Sequence, residues 1–383
     1  VDAFDEATAG LPSAGAFALQ SSFGTSVATL NAAIFVAPLL FALLVEGPIL
    51  VWCECFPRHR LLGAGLFAMA VGSVGCAIGS DVYWFSAALS VCAVASGLAC
   101  GVAQAALVDS DPERREQRMT QWATAGWLGD LGAPILLWSS AAMGFGWRSA
   151  YVAMGIALAL GAAVFARHPL PVGEAATETE TEPSLRHALR VLLRSRGLFL
   201  WLFGVALCSL LDEIVAVLLG LRIDAAGGDT ASVSQALLAF TLGGVVGLLA
   251  LDRLLQRVAA DRLLVLSCVA CALVTGALLV SDSLAWVVAL AFLVGMFSAA
   301  HYPLAQARAY AALPGRSLLV AAAAQPFLLF DLAFPLGTGW IADRFGPGAA
   351  LALTLFQPIG LLLVVALLTR SSRRGVNAGP RRR

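Results

Sequence analysis

Lysine is absent from this chain, and all 24 basic residues are arginine. Charge of either sign is scarce: charged residues make up 13% of the sequence, against about a quarter in a soluble domain. So thin a charged coat cannot cover a globule of 383 residues. With 60% hydrophobic content and a mean hydropathy of +0.85, much of the surface must be solvated by lipid. The formal net charge is zero, which removes the bulk electrostatic case for nucleic acid. A phosphate-cradling GxxxxGK[ST] loop, a zinc-binding HExxH helix and a GxSxG nucleophile elbow are all missing. ATP-driven pumping and enzymatic chemistry are therefore not expected, and no cofactor is implied. The eight cysteines imply no disulfide framework, since most fall inside apolar runs. Cys268-x-x-Cys271 has redox or zinc spacing but sits mid-run without a second pair or a histidine, and reads as packing. No cleavable signal peptide is expected.

What is present is a series of apolar runs bounded by charge or turn signals. They predict an all-α membrane protein with twelve spans: a stub near 1–18, then 27–53, 61–80, 83–108, 120–143, 148–167, 198–221, 233–252, 262–280, 284–307, 318–341 and 348–369. A first span needs ~20 apolar residues, and only about half that precedes Gly10-Leu11-Pro12, so the first helix is expected to be truncated. Six spans form a bundle over residues 1–167 and six over 197–370, joined by a cytoplasmic linker at 168–196 and followed by a basic tail at 371–383. Placing the loops alternately on two sides puts 21 of the 24 arginines on one side, leaving only Arg148, Arg222 and Arg344 on the other. The positive-inside rule makes the rich side cytoplasmic, with the C-terminus there. In the linker, Glu174, Glu178, Glu180 and Glu182 read as solvated chain. Ser184 then caps a short helix whose Arg186, Arg190, Arg194 and Arg196 suit anionic headgroups.

The chain also repeats itself. Asp5-Glu6 recurs as Asp212-Glu213 after 207 positions, and Ala103-Gln104-Ala105 as Ala305-Gln306-Ala307 after 202. Pro112 recurs as Pro314 at 202, and Asp130-Leu131-x-x-Pro134 as Asp331-Leu332-x-x-Pro335 at 201. Four matches in one order at nearly one offset indicate two copies of one unit, hence two pseudo-symmetric six-helix bundles.

Seven carboxylates lie within or near the spans: Asp5, Glu6, Glu46, Asp130, Asp212, Glu213 and Asp331. Each costs ~2.5–3.5 kcal/mol at the centre of a helix in lipid. All seven facing lipid would total roughly 20 kcal/mol, beyond the ~5–15 kcal/mol stability of a fold. Most must face protein or a wet cavity, and no lysine or mid-span arginine is there to pair with them. An unpaired acid in a dry site holds a proton near neutrality, and in a wet site it meets a cation from outside. The structural alternatives stand beside this reading. Glu46 can pin two helices as a neutral donor. Asp130 and Asp331, each four residues before a proline, can bond freed backbone groups. One member of each Asp-Glu pair can cap a turn. His301, before Pro303 in the tenth span, can relay protons or bond a neighbouring helix.

Phe145-Gly146-Trp147-Arg148-Ser149-Ala150-Tyr151 between the fifth and sixth spans resembles the Gly-Trp-Arg turn of the major facilitator superfamily. Gly126-x-x-Gly129-Asp130-x-Gly132-Ala133-Pro134 is similar to the Gly/Pro-rich fifth-helix motif of its antiporters. Glu54 with Arg58 and Arg60 stands where the family latches its cytoplasmic gate, and Asp252-Arg253 is the eighth-span counterpart. An acid near the outer end of the first helix followed by Gly-Leu-Pro looks like efflux-type members. The resemblance covers essentially the whole chain. It implies a monomeric secondary transporter in a bacterial cytoplasmic membrane, moving a small molecule by alternating access. Proton-coupled export of a neutral, amphiphilic or cationic compound is the expected activity. Uptake by symport, and a non-transporting sensor or membrane enzyme, are the alternatives.

Overall fold

The structure is a computed structural model that describes residues 1–53, 56–167, 185–225, 227–281 and 283–377. Glu54, the linker residues 168–184 and the tail residues 378–383 lie outside the described residues, as does the side chain of Glu213. Every regular element described is helical. In chain order these are α1 (Asp2–Ala14), α2 (Ala16–Phe23), α3 (Val27–Asn31), a π-turn (Ala32–Val36), α4 (Ala37–Cys53), α5 (Arg58–Ile78), α6 (Val82–Ser110), α7 (Arg115–Gly129), α8 (Gly132–Ala142), α9 (Trp147–Arg167) and α10 (Leu185–Arg194). There follow α11 (Arg196–Leu207), α12 (Glu213–Ala225), α13 (Thr230–Leu254), α14 (Ala260–Val280), α15 (Leu284–Ser298), α16 (His301–Ala311), α17 (Ser317–Ala324), α18 (Leu328–Phe345), α19 (Pro347–Ala352) and α20 (Phe356–Asn377).

Among the described residues, ten helical stretches are long and apolar enough to cross a membrane. The other two expected spans are the first and the fifth. The first is divided at Gly15 into α1 and α2, and the fifth at Asp130-Leu131 into α7 and α8.

Proline explains most interruptions. It lacks an N–H, so the carbonyl four residues earlier loses its donor. Ile34 of the π-turn stands four before Pro38, Asp130 four before Pro134, Ala299 four before Pro303, and Thr354 of the 3-10 turn Leu353–Leu355 four before Pro358. At Pro303, where proline geometry favours a kink, the tenth span is interrupted between α15 and α16. Asp331 behaves differently from Asp130, since α18 runs unbroken through Pro335.

The helices gather into two compact units. The first comprises Val1–Arg118, Trp122–Arg194 and Leu313–Leu328, and the second Met119–Gln121, Ser195–Ala312 and Leu329–Arg383. In the first unit, small residues let helix backbones approach. Gly129 faces the backbone of Ala3, where an added Cβ would lie 2.5 Å from the Ala3 carbonyl oxygen, and Gly132 faces the side chain of Ala7, whose Cβ would lie 2.7 Å from an added one. The glycine stripe of the fifth span is thus the seat of α1. In the second unit, α13 and α15 interlock: Gly243 and Gly247 face the carbonyls of Phe292 and Met296, and Gly295 faces that of Phe240. The repeated Ala-Gln-Ala triplets are buried in both units, on α6 and on α16. Cys268 and Cys271 are fully buried in α14, where Cys268 joins Cys208, Leu264 and Leu304 in an apolar cluster. Helix α10 turns Ala188 and Leu192 inward and leaves Arg186, Arg190 and Arg194 exposed.

Two of the three arginines on the arginine-poor side have a structural task. Arg148 Nη2 donates to the Gly79 carbonyl at 2.9 Å, just past the end of α5. Arg222 Nη2 donates to the carbonyls of Leu279 and Ser281 at 2.9 and 2.8 Å, around the end of α14. Each cation satisfies orphan carbonyls at the negative end of a helix dipole. Replacing Arg222 with alanine is expected to cost about 1.5–3 kcal/mol, the worth of hydrogen bonds to a charged group. Thermal unfolding in detergent checks this, and a variant melting with the parent refutes it.

Candidate functional site

Residues of α6 organise the acids of the first unit. Ser96 and Cys100 stand one helical turn apart and so share one face. Both donate to Asp5 of α1, the Ser96 hydroxyl to Oδ1 and the Cys100 thiol to Oδ2 at 3.3 Å. Asp2, three residues before Asp5, is 8% exposed, and an added Cβ on Gly126 of α7 would come within 2.5 Å of its Oδ2. Ligand atoms of Asp2, Asp5 and Cys100 lie within 4.8 Å of one another. Glu6 rests its side chain beside Gly126.

Gly97, between Ser96 and Cys100 in sequence, serves a second carboxyl. Glu46 of α4 occupies the space that a side chain at Gly97 would need. Its Oε1 accepts from Gln325 Nε2 at 2.7 Å. Gln325 opens the 3-10 turn Gln325–Phe327 between α17 and α18. Asp5 and Glu46 thus flank one helix. The donors on them are a hydroxyl, a thiol and an amide, all neutral.

Arg58, expected at a gate, bridges to Asp109 at the end of α6, with Nη2 2.7 Å from Oδ2. Asp109 Oδ1 accepts from Ser317 Oγ at 2.6 Å, which fastens the start of α17 to the ends of α5 and α6. Arg60 is exposed. Asp252 and Arg253 in the last turn of α13 bond elsewhere than to each other: Asp252 accepts from Gln121 Nε2 at 3.3 Å, and Arg253 donates to the Leu249 carbonyl at 3.2 Å.

In the second unit His301 is fully buried, with Nδ1 3.0 Å from Gln357 Nε2 of α20. Gln357 Oε1 accepts the Leu211 N–H at 2.8 Å, in the 3-10 turn Cys208–Leu211 that precedes Asp212. This chain of bonds ties three spans of the unit together. Asp212 itself is exposed, as are Asp130 and Asp331. The structure therefore brings Asp5 and Glu46 to one helix, while Asp130 sits at the break after α7 and Asp331 and Asp212 lie in the second unit.

Sequence reasoning missed Asp2, Ser96, Cys100, Asp109, Ser317, Gln325 and Gln357 as partners of these groups. A glutamine inside an apolar run was the available signal for Gln325 and Gln357, since an amide in lipid demands a partner. Ser96 and Cys100 carry no such signal, because both residue types are ordinary packing in membrane helices.

The sequence model of the Major Facilitator Superfamily matches residues 7–325. No curated protein sequence matches the chain. Among solved structures, the fucose:proton symporter of E. coli superposes with a TM-score of 0.79 at 13% identity, covering 96% of this chain and 97% of that one. A proton:xylose symporter bound to 6-bromo-6-deoxy-D-glucose gives 0.73 at 13%, with 96% and 94% covered. The human organic anion transporter gives 0.70 at 16%, with 95% and 98% covered. At these identities the likeness is one of fold.

Proposed function

The chain belongs to the Major Facilitator Superfamily and is a secondary transporter of a small molecule; from that premise we propose that protons drive it, through Asp5 and Glu46 of the first unit. The observation that carries this reading is that each carboxyl sits in a membrane helix with neutral donors on its oxygens. An acid so placed changes charge readily, whereas a permanent arginine partner would hold it ionised. Alternating access between two six-helix halves, 1–167 and 197–370, is the working cycle, with Asp212 and Glu213 as the second half's counterpart acids and Asp130 and Asp331 on equivalent spans.

The substrate class follows from the cations. The arginine side-chain bonds described above lie at helix ends, to Asp109 or to carbonyls. A neutral, amphiphilic or cationic solute fits such a protein better than a strong anion. The direction proposed is export, as the resemblance to efflux-type members implies. Import by symport is the second reading, favoured by a fold shared with fucose and xylose symporters. The carrier is proposed as a monomer in a bacterial cytoplasmic membrane, with its C-terminus inside and the arginines of α10 on anionic headgroups.

Purified protein in proteoliposomes tests the reading. A panel of neutral, cationic and anionic solutes is added outside while a lumenal dye reports pH. Solute-dependent acidification of the lumen reports symport and alkalinisation reports exchange; movement of solute with no proton movement overturns the coupling.

The Arg58–Asp109–Ser317 cluster is proposed as the inner gate. Asp109→Ala is expected to cost roughly 1.5–3 kcal/mol in the state that holds it. Arg58→Asp combined with Asp109→Arg is expected to recover transport that either change alone reduces. A double variant no better than the singles would refute a paired role.

A further inference from the structure

Helix α17 comes from the second half of the sequence, yet it packs within the first unit. It is fastened there at both ends. At its start Ser317 donates to Asp109, and just beyond its end Gln325 donates to Glu46. Between them the helix reads Ser317-Leu-Leu-Val-Ala-Ala-Ala-Ala324, with Ala321 facing Gly101 of α6. The first attachment leads to an ion pair, the second to a carboxyl whose charge can change.

The second attachment is also incomplete. Gln325 is 8% exposed, and its Oε1 is buried without a hydrogen-bond partner. A buried amide oxygen left unpaired costs about 1–3 kcal/mol. An ionised Glu46 can only accept, so it satisfies the amide N–H and can do nothing for the amide oxygen. A protonated Glu46 carries an O–H. It can then give that hydrogen to Oε1 while its other oxygen keeps the bond from Nε2. The carboxyl and the carboxamide become a reciprocal pair, and turning the amide over does not alter this count.

We propose that Glu46 and Gln325 form a proton-operated clasp on α17: protonation of Glu46 tightens it by adding the second hydrogen bond, and ionisation loosens it to the single bond from the amide N–H. Gln325 is a positioning residue that converts the charge of Glu46 into a tighter or looser attachment of one half-helix. Gly97 is part of the device, because any side chain there would displace the Glu46 carboxyl.

The groups facing Glu46 are few. On the other flank of α6 is the carboxyl of Asp5, itself held by Ser96 and Cys100. α6 also carries Asp109, which is occupied by Arg58 and Ser317. α17, the π-turn and the Gln325–Phe327 turn bring no ionisable side chain, and α10 brings Arg186, His187, Arg190 and Arg194 to the elements it packs on, α17 and α4.

This inference rests on the transport reading, but its test does not. Hydrogen–deuterium exchange of residues 313–328 is followed in lipid nanodiscs from pH 5 to 9, expressed as protection relative to intrinsic exchange. Protection is expected to fall about tenfold as pH rises, the equilibrium worth of one hydrogen bond. Glu46→Gln retains both bonds, and should remain protected across the range. Gln325→Leu should be poorly protected across the range, with the rest of the first unit unchanged. Protection of 313–328 in the parent that does not respond to pH, or a Gln325→Leu variant that responds as the parent does, overturns the clasp. A protein that shows the pH-dependent exchange yet moves no solute would overturn the transport reading and leave the clasp standing.

Discussion

Asp5→Asn is expected to abolish accumulation driven by a proton gradient while leaving the protein folded and able to exchange solute. Asparagine has the size of aspartate, and its amide oxygen can still accept from Ser96. What it loses is the ability to change charge. A gradient of one pH unit is worth about 1.4 kcal/mol per coupled proton, or a tenfold accumulation of solute. In proteoliposomes with such a gradient the parent should reach about tenfold for one coupled proton, and the Asn variant should stop at equal concentrations on both sides. Counterflow, which needs no net proton movement, should persist in the variant. Asp212→Asn tests the second half in the same assay. If both variants still concentrate solute as the parent does, these acids do not couple protons to transport.

The second large effect concerns packing. Gly243→Leu is expected to prevent recovery of folded protein, because α13 and α15 touch through their backbones. A Cβ at Gly243 would run into the Phe292 carbonyl, and the reciprocal contact of Gly295 on Phe240 leaves no room for a compensating slide. Overpacking a core costs typically 1–3 kcal/mol where side chains can yield, and here a carbonyl would have to move. Gly276→Leu on α14 is the control, since nothing lies within 4 Å of an added Cβ at that position. Fluorescence size-exclusion profiles should show a monodisperse peak for the control and a lost or aggregated one for Gly243→Leu. Equal profiles would mean that the two helices can separate at little cost.

Much of the fold was legible because membrane insertion acts on composition. Runs such as 58–78 and 260–280 need only length and apolarity to be recognised. Proline accounts in the structure for interruptions in the second, fifth, tenth and twelfth spans, since a missing N–H frees a known carbonyl, yet α1, α4 and α18 run unbroken through Pro12, Pro48 and Pro335, so proline position alone does not place a break. The glycine stripe Gly126-x-x-Gly129-x-x-Gly132 announced close approach, though not that α1 would be the helix to approach. The candidate site was legible only in its acids. A carboxylate in an apolar run is conspicuous by its cost, and that picked out Asp5 and Glu46. Their donors are cheap residues in ordinary settings, and Gln325 lies 279 positions from Glu46.

By itself the sequence determined that this is a helical membrane protein built from a repeated unit and burdened with acids it has no lysine to neutralise. Tertiary structure alone decided which acids share a helix, that Arg58 pairs with Asp109, and that α17 joins the first unit. The division has a physical cause. Transfer into lipid is a property of a segment and can be summed along the chain. A hydrogen bond is a property of two atoms, and which atoms meet is settled only when the helices pack.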